Sequence, residues 1–171
     1  MNKFPSDLVT KSQREIILHN KKWEMSTNYA LNEFNKLSKL TNTILDNIPP
    51  DIFNKKLSNM PHPLSFELGH TTLFYENFIN RFINNKSPLN PDNKIYDSIL
   101  NLPEERTKLN FHTLEQQKKY YDSVTLQIIN NLPEGKLTPI ASHLLNQAFL
   151  HHYMHLEVYL NKIEDNILNL K

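Results

Sequence analysis

Cysteine is absent from this chain of 171 residues, and glycine occurs only twice, at Gly69 and Gly135. Without cysteine there is no disulfide, no thiolate metal ligand and no cysteine nucleophile, so any metal must be held by nitrogen and oxygen atoms. The scarcity of glycine disfavours a β-sheet joined by tight hairpin turns, because those turns need residues with positive φ. A helical fold is therefore favoured.

Long hydrophobic runs and an excess of one charge are also lacking. No stretch approaches the roughly 18 apolar residues that span a bilayer, and the N-terminal residues include no apolar run typical of a signal peptide. The formal net charge is only +1, and lysine pairs such as Lys21-Lys22 and Lys118-Lys119 are scattered. Neither nucleic acid nor an anionic membrane is expected as a partner, because both normally require a clustered basic surface. We expect a soluble cytoplasmic protein.

Ten prolines divide the chain into segments. Within these segments apolar residues recur at three- and four-residue steps, which is typical of amphipathic helices. Thr113 and Gln116 have the spacing of a capping box, and Pro139 suits a first helical position. The pattern predicts a weaker helix over 6–21, a short helix over 95–100, and four long helices over 26–48, 63–84, 113–131 and 138–168.

The four long helices are joined by one short, one medium and one long connection. This order predicts an all-α fold, a four-helix bundle with one long crossover connection between the second and third helices. The length suits one compact domain. We expect residues 1–25 to form an N-terminal arm or short helix and residues 26–171 to form the bundle.

Three of the eight histidines fall within five positions of the last predicted helix. At about 100° per residue, His151 and His155 lie on one stripe with Leu144 and Ala148, whereas His152 turns about 100° toward a flank. Imidazoles at positions i and i+4 share a helix face and can bind one metal ion. Alternatively, each is a buried histidine with its own hydrogen-bond partner, since an unpartnered buried imidazole is costly.

A third nitrogen ligand is predicted on the second long helix, where His70 lies in line with Phe66 and Phe74. A glycine inside a helix costs about 1 kcal/mol relative to alanine, so Gly69 indicates the close approach of a neighbouring helix or a ligand. Three imidazoles would leave coordination positions open to water or substrate. They accept iron, zinc, nickel, manganese or copper.

Other titratable residues give weaker signals. Glu76 and Glu157 could orient an imidazole N–H group from outside the ligand set, or could be exposed charges. No nucleophile elbow or glycine-rich phosphate loop occurs in the sequence, and no catalytic residue is assigned. The remaining histidines are interpreted as surface or hydrogen-bonded side chains: His19, His62, His112 and His143.

Two stretches of this sequence resemble the DinB-like metal-binding superfamily, and most closely the N-terminal domain of the sulfoxide synthases of ergothioneine and ovothiol biosynthesis. Residues 60–76, MPHPLSFELGHTTLFYE, are similar to the family segment SPxxWHLxHTTWFFE, with His70 at the ligand position. Residues 150–157, LHHYMHLE, are similar to HExQHQE, with His151 and His155 at the other two ligand positions. The resemblance implies a three-histidine site for a divalent metal, with Fe(II) favoured and Zn or Ni as alternatives.

The sequence also departs from the family pattern. Phe66 and Glu67 stand where the family has Trp-His, and His152 and Met154 replace an acidic residue and an amide. The synthases carry a second domain, similar to formylglycine-generating enzyme, that supplies much of their substrate pocket. The 171 residues given cannot contain that domain.

The resemblance therefore implies the iron-binding half of a synthase-like enzyme, working with a separate partner chain that carries the formylglycine-generating-enzyme-like domain. One alternative is a stand-alone metal-dependent transferase that acts on a low-molecular-weight thiol, as other members of the superfamily do. Another alternative is a non-catalytic bundle that binds a second protein. A homodimer is compatible with membership of this superfamily.

Overall fold

The computed structural model describes residues 23–56, 62–77 and 91–168. Over these residues the fold is all-α, as predicted, and the one β-type pairing is an isolated bridge between Ser26 and Lys136. The predicted helix over 6–21 lies outside the described residues. In chain order the elements are α1 (Thr27–Leu45), α2 (Pro50–Phe53), α3 (Leu64–Tyr75), a 3₁₀ helix (Pro91–Tyr96), α4 (Pro103–Arg106), α5 (Leu114–Ile129) and α6 (Pro139–Leu168).

The ends of the long helices follow the capping signals in the sequence. The Ser26 hydroxyl accepts a hydrogen bond from the Tyr29 backbone N–H at 3.1 Å and caps α1. Thr113 and Gln116 form the predicted capping box, with reciprocal bonds of 3.2 and 2.9 Å. The last helix begins at Pro139, as predicted. The side-chain oxygens of Ser26, Thr113 and Gln116 satisfy backbone N–H groups that have no partner inside the helix.

The connection between α3 and α5 differs from the prediction. The apolar pattern predicts a short helix over 95–100, but residues 98–100 form a turn between the 3₁₀ helix and α4. The Asp97 carboxylate accepts bonds from the N–H groups of Ile99 and Leu100 at 2.8 and 3.2 Å. The Asn101 amide donates to the carbonyl of Asp97 at 3.0 Å. These side-chain bonds offer the backbone an alternative to a helix, which hydrophobic spacing does not reveal.

The four long helices contact one another in pairs. Helix α1 packs against α5 and α6, and α3 packs against α5, α6 and the 3₁₀ helix. Aromatic rings fill the space between α1, α3 and α6, where the Phe34 ring lies 5.0 Å from Phe149 and 5.7 Å from Tyr75, centre to centre. All three rings are buried. The core thus lies between α1 and the two helices that carry the predicted ligands.

Helix α3 is the most deeply enclosed element. Every side chain from 64 to 75 is buried except those of His70 and Phe74, which are half-buried. The helix thus lies between its neighbours α5, α6 and the 3₁₀ helix. Because the two half-buried residues are one turn apart, they mark the side on which solvent reaches this helix.

Not all large apolar side chains of α1 and α6 face the core, and three of the exposed ones are Tyr29, Leu40 and Ile140. The buried residues of α1 span an arc of roughly 100°, and Tyr29 and Leu40 fall outside it. A helix that packs against two neighbours buries only the arc that faces them.

The N-terminal end of the described chain is joined to the packed helices. The Met25 side chain is buried, and its N–H donates to the Ser142 hydroxyl at 2.8 Å. The Met25 carbonyl accepts a bond from Leu137 N–H at 2.9 Å. Among the described residues, no helix has the length and apolar character needed to cross a membrane.

Candidate metal centre

The three histidines predicted as ligands come together at the junction of α3 and α6. His70 projects from α3, and His151 and His155 project from consecutive turns of α6. The His70 ring centre lies 5.1 Å from that of His151 and 5.2 Å from that of His155. One ring nitrogen of each residue lies within 4.8 Å of the other two. This group could hold a metal ion.

His70 is oriented by the backbone of the 3₁₀ helix. Its Nδ1 lies 3.0 Å from the carbonyl oxygen of Tyr96. A carbonyl only accepts, so Nδ1 carries the proton and Nε2 keeps its lone pair. The Tyr96 ring lies over Gly69, where an added Cβ would be 2.1 Å from the ring. The missing side chain at Gly69 therefore makes room for the tyrosine whose carbonyl orients His70. The close approach predicted at Gly69 is thus made by this ring of the neighbouring 3₁₀ helix.

His155 is oriented by a buried carboxylate. Its Nδ1 forms a short hydrogen bond with Oε2 of Glu67, and Oε1 of the same carboxylate bonds to Nε2 of His62. Burial alone would raise the pKa of Glu67, but the bonds from His155 and His62 outweigh it and lower the pKa to about 2. The carboxylate is thus ionised, and the Nε2 of His155 is left with a free lone pair.

His151 lies at the open edge of the group. Its ring stacks on Phe74, with ring centres 4.2 Å apart, and its Nε2 lies 3.0 Å from Nε2 of His155. Burial lowers the pKa of His151 to about 3, and burial also lowers the pKa of His70. Both imidazoles are therefore neutral at pH 7, which is the form that binds metals.

The donor set fits a divalent metal. Two nitrogens about 2.1 Å from one ion are roughly 3.0 Å apart at a right angle and roughly 3.4 Å apart in a tetrahedron, so the separation of 3.0 Å between His151 and His155 is compatible with a shared ion. The Nδ1 atoms of His70 and His155 are held by acceptors, which is the usual support for metal-binding imidazoles. Nδ1 of His151 is buried without a hydrogen-bond partner.

His152 does not turn toward a flank, so that prediction is wrong. Only 1% of its surface is exposed. At about 100° per residue, the buried residues of α6 form a broad arc centred close to His152, with His151 at its edge. Nε2 of His152 lies 2.9 Å from the Thr41 hydroxyl, and Nδ1 lies 3.1 Å from the Tyr75 hydroxyl. His152 is thus a hydrogen-bonded core residue, and burial lowers its pKa to about 3.

The residues suggested as supports for the ligands have different environments. Glu157 is exposed on α6. Glu76 is fully buried and accepts a hydrogen bond from the Tyr120 hydroxyl. The carboxylate that does reach an imidazole of the group is Glu67, which sequence reasoning missed. Its signal was an acidic residue three positions before His70, one turn away on an otherwise apolar helix.

The other histidines have varied surroundings. His62 is buried and bonds to Glu67, so it is a hydrogen-bonded histidine of the kind predicted. His112 and His143 are half-buried. His19 lies outside the described residues.

No model of a known protein family matches the sequence, and no curated protein matches it significantly. The resemblance to DinB-like proteins therefore stays a prediction that rests on residues 60–76 and 150–157.

Proposed function

We propose that this protein is a DinB-like four-helix bundle that binds one divalent metal ion through Nε2 of His70, His151 and His155. One observation carries the proposal: three histidines from two helices converge, and the Nδ1 atoms of two of them are held by acceptors. The bundle is supported by the contacts of the four long helices, since α1, α6, α3 and α5 form a closed ring of neighbours.

The proposed site is open on one side. His70, Phe74 and His151 are half-buried, whereas His155 is buried. A small substrate would approach along this side, and the aromatic face of Phe74 would contact its apolar part. When bound, a divalent metal at such a site acts as a Lewis acid and lowers the pKa of a coordinated water or thiol. The chain's own part is to hold three imidazoles close together and to keep water from the inner side, where His155 is buried.

The resemblance favours Fe(II), with Zn or Ni as alternatives, because imidazole ligands accept all three. On the same basis, the protein would work as the iron-binding half of a sulfoxide-synthase-like enzyme, with a partner chain that carries a formylglycine-generating-enzyme-like domain. The open side of the site is the surface that such a partner would cover.

A second candidate is a metal-dependent transferase that activates a low-molecular-weight thiol without a partner. It is favoured by the direct access from solvent to His70 and His151. Since the chain has no cysteine, the thiol would belong to the substrate. Turnover of a thiol and an electrophile by the isolated chain would support this candidate. Turnover only after addition of the partner chain would support the synthase-like enzyme.

Metal analysis of protein purified without a histidine tag tests the proposed site. We expect about one equivalent of metal in the wild type after reconstitution with Fe(II), Zn(II) or Ni(II), and loss of that metal in the double variant His151→Ala/His155→Ala. His143→Ala is the matched control, because His143 lies half-buried on the same helix outside the group. A wild type without bound metal, or a double variant that retains it, would overturn the proposal and leave the non-catalytic interaction bundle.

A further inference from the structure

Two of the three proposed ligands are held by the same stretch of chain, residues 91–106, which we call the connecting segment. Tyr96 supplies the carbonyl that accepts from His70. Arg106 supplies a guanidinium N–H group 3.2 Å from Nδ1 of His62, and His62 bonds to Glu67, which in turn bonds to His155. The 3₁₀ helix of the segment packs directly against α3.

The direction of every hydrogen bond in the series from Arg106 to His155 follows from two groups, the Arg106 guanidinium, which only donates, and the Glu67 carboxylate, which only accepts. A guanidinium only donates, so Nδ1 of His62 must accept and its Nε2 must carry the proton. Nε2 of His62 then donates to Oε1 of Glu67. A carboxylate only accepts, so Nδ1 of His155 carries a proton and donates to Oε2. Nε2 of His155 is thereby left as a lone pair that faces His70 and His151.

Arg106 is itself firmly placed. It is 8% exposed, and its Nε donates to the Asn101 carbonyl at 2.9 Å. A second guanidinium nitrogen donates to the Ser98 carbonyl at 3.1 Å, and the guanidinium carbon lies 4.2 Å from the ring centre of Phe66. These contacts tie the side chain to the turn that precedes α4. A shift of this turn would therefore move the donor that sets the proton positions on His62.

The series also balances charge inside the protein. Glu67 is 4% exposed and His62 is 8% exposed. A buried carboxylate is costly unless hydrogen bonds and an opposite charge compensate it. Arg106 supplies that positive charge on the far side of His62. The Glu67 carboxylate thus lies on the side of His155 away from His70 and His151, where it orients the ring of the proposed ligand.

We propose that the connecting segment positions the metal ligands: Arg106, His62 and Glu67 form a relay that fixes the tautomer of His155, and the Tyr96 carbonyl fixes that of His70. The proposal rests on the proposed metal site. Glu67, His62 and Arg106 are positioning residues, since they would act on the metal only through His155. Attachment of the connecting segment to α3 would accordingly set the affinity for the metal.

Two pairs of variants test the relay by metal affinity, measured by competition with a chromophoric chelator. Glu67→Gln is expected to weaken binding by about 10- to 100-fold, because the amide NH2 group that replaces one carboxylate oxygen donates and cannot accept from the second histidine. The exposed Glu157→Gln is its matched control and should bind like the wild type. Arg106→Met should weaken binding several-fold, and Arg106→Lys should recover part of the loss, because lysine also only donates. Lys108→Met is the charge-matched control at an exposed position.

The proton on His155 is observed directly by long-range ¹H–¹⁵N correlation spectra of the histidine rings in metal-free protein. We expect the Nδ1–H tautomer in the wild type and a mixture of tautomers in Glu67→Gln. This readout would not respond to a merely structural role of Glu67. If Glu67→Gln does not fold, the Arg106→Met and Arg106→Lys pair still tests the relay.

The outcomes separate the two proposals. A wild type that binds no metal overturns the proposed function. A wild type that binds metal, together with Glu67→Gln and Arg106→Met variants of unchanged affinity, overturns the relay alone. An Nε2–H tautomer of His155 in the wild type would also overturn the relay.

Discussion

The Nε2 atoms of His151 and His155 lie 3.0 Å apart across one turn of α6. Because Nδ1 of His155 donates to Glu67, the facing Nε2 carries a lone pair. Two imidazole lone pairs repel at this distance, so either a proton on His151 or a metal ion must lie between the nitrogens. Without metal, a hydrogen bond from Nε2–H of His151 to Nε2 of His155 holds the pair together. With metal, both nitrogens would bind the ion instead.

Metal should stabilise the fold by binding the folded state. A ligand at 1,000 times its dissociation constant contributes about 4 kcal/mol to the free energy of unfolding. We expect the melting temperature of the wild type to rise on addition of the metal that it binds and to fall again with a chelator, in circular dichroism melts. A melting temperature of the His151→Ala/His155→Ala variant that rose equally would show that the ion acts elsewhere.

Replacing His152 with phenylalanine should destabilise the core. An aromatic ring is kept, but it has no nitrogen, so the hydroxyl groups of Thr41 and Tyr75 lose their hydrogen bonds to His152. A buried polar group without a hydrogen bond costs about 1–3 kcal/mol, so chemical denaturation should show a loss of that order for each hydroxyl.

The control for His152→Phe replaces the partners as well. Adding Thr41→Val and Tyr75→Phe removes the unpaired hydroxyls, so part of the lost stability should return. Metal stoichiometry should stay that of the wild type in both variants, since His152 is outside the ligand group. A loss of metal in the stably folded variant would mean that His152 is a ligand.

Gly69→Ala should weaken both stability and metal binding. An added Cβ would lie 2.1 Å from the Tyr96 ring, which is fully buried. Overpacking of this kind costs about 1–3 kcal/mol, against about 1 kcal/mol gained in helix propensity. Displacement of Tyr96 would also shift the carbonyl that orients His70.

A double-mutant cycle with Tyr96→Leu distinguishes the contact from a general effect of alanine at position 69. Alanine should cost less in the Tyr96→Leu background, because the smaller side chain leaves room for the Cβ. Equal costs in both backgrounds, measured by urea denaturation, would exclude the ring contact as the cause.

Stability should fall in acid when metal is absent. The pKa of His152 is about 3 in the folded protein, against an ordinary histidine pKa of 6.5, so below about pH 6.5 the unfolded chain takes up a proton that the folded protein excludes. This site alone lowers the free energy of unfolding by up to about 1.4 kcal/mol per pH unit. The pKa of Glu67 is lowered from 4.5 to about 2, so this group further reduces the free energy of unfolding as the pH falls from about 4.5 to about 2.

Urea denaturation at several pH values in the presence of a chelator measures this profile. The free energy of unfolding should be level above about pH 7 and should decline as the pH falls. His152→Phe should have a shallower decline between pH 6.5 and pH 3 than the wild type. Parallel profiles of the two proteins would contradict the assignment of His152 as a neutral buried residue.

Local signals account for the parts of the fold that were predicted well. Ser26, Thr113 and Pro139 mark helix starts because capping depends on neighbours in sequence. The prediction over 95–100 failed because hydrogen bonds from Asp97 and Asn101 determine that turn, and apolar spacing does not report them.

The sequence by itself determined the long helices and which histidines share a helix face, because both follow from spacing along one chain segment. Only the tertiary structure decided what surrounds those histidines. It turned the centre of the buried arc of α6 toward His152, and it placed Glu67 against His155 and Tyr96 against His70. Helical periodicity specifies the angle between side chains on one helix, whereas the direction of the core and the partners of each imidazole depend on how separate helices pack.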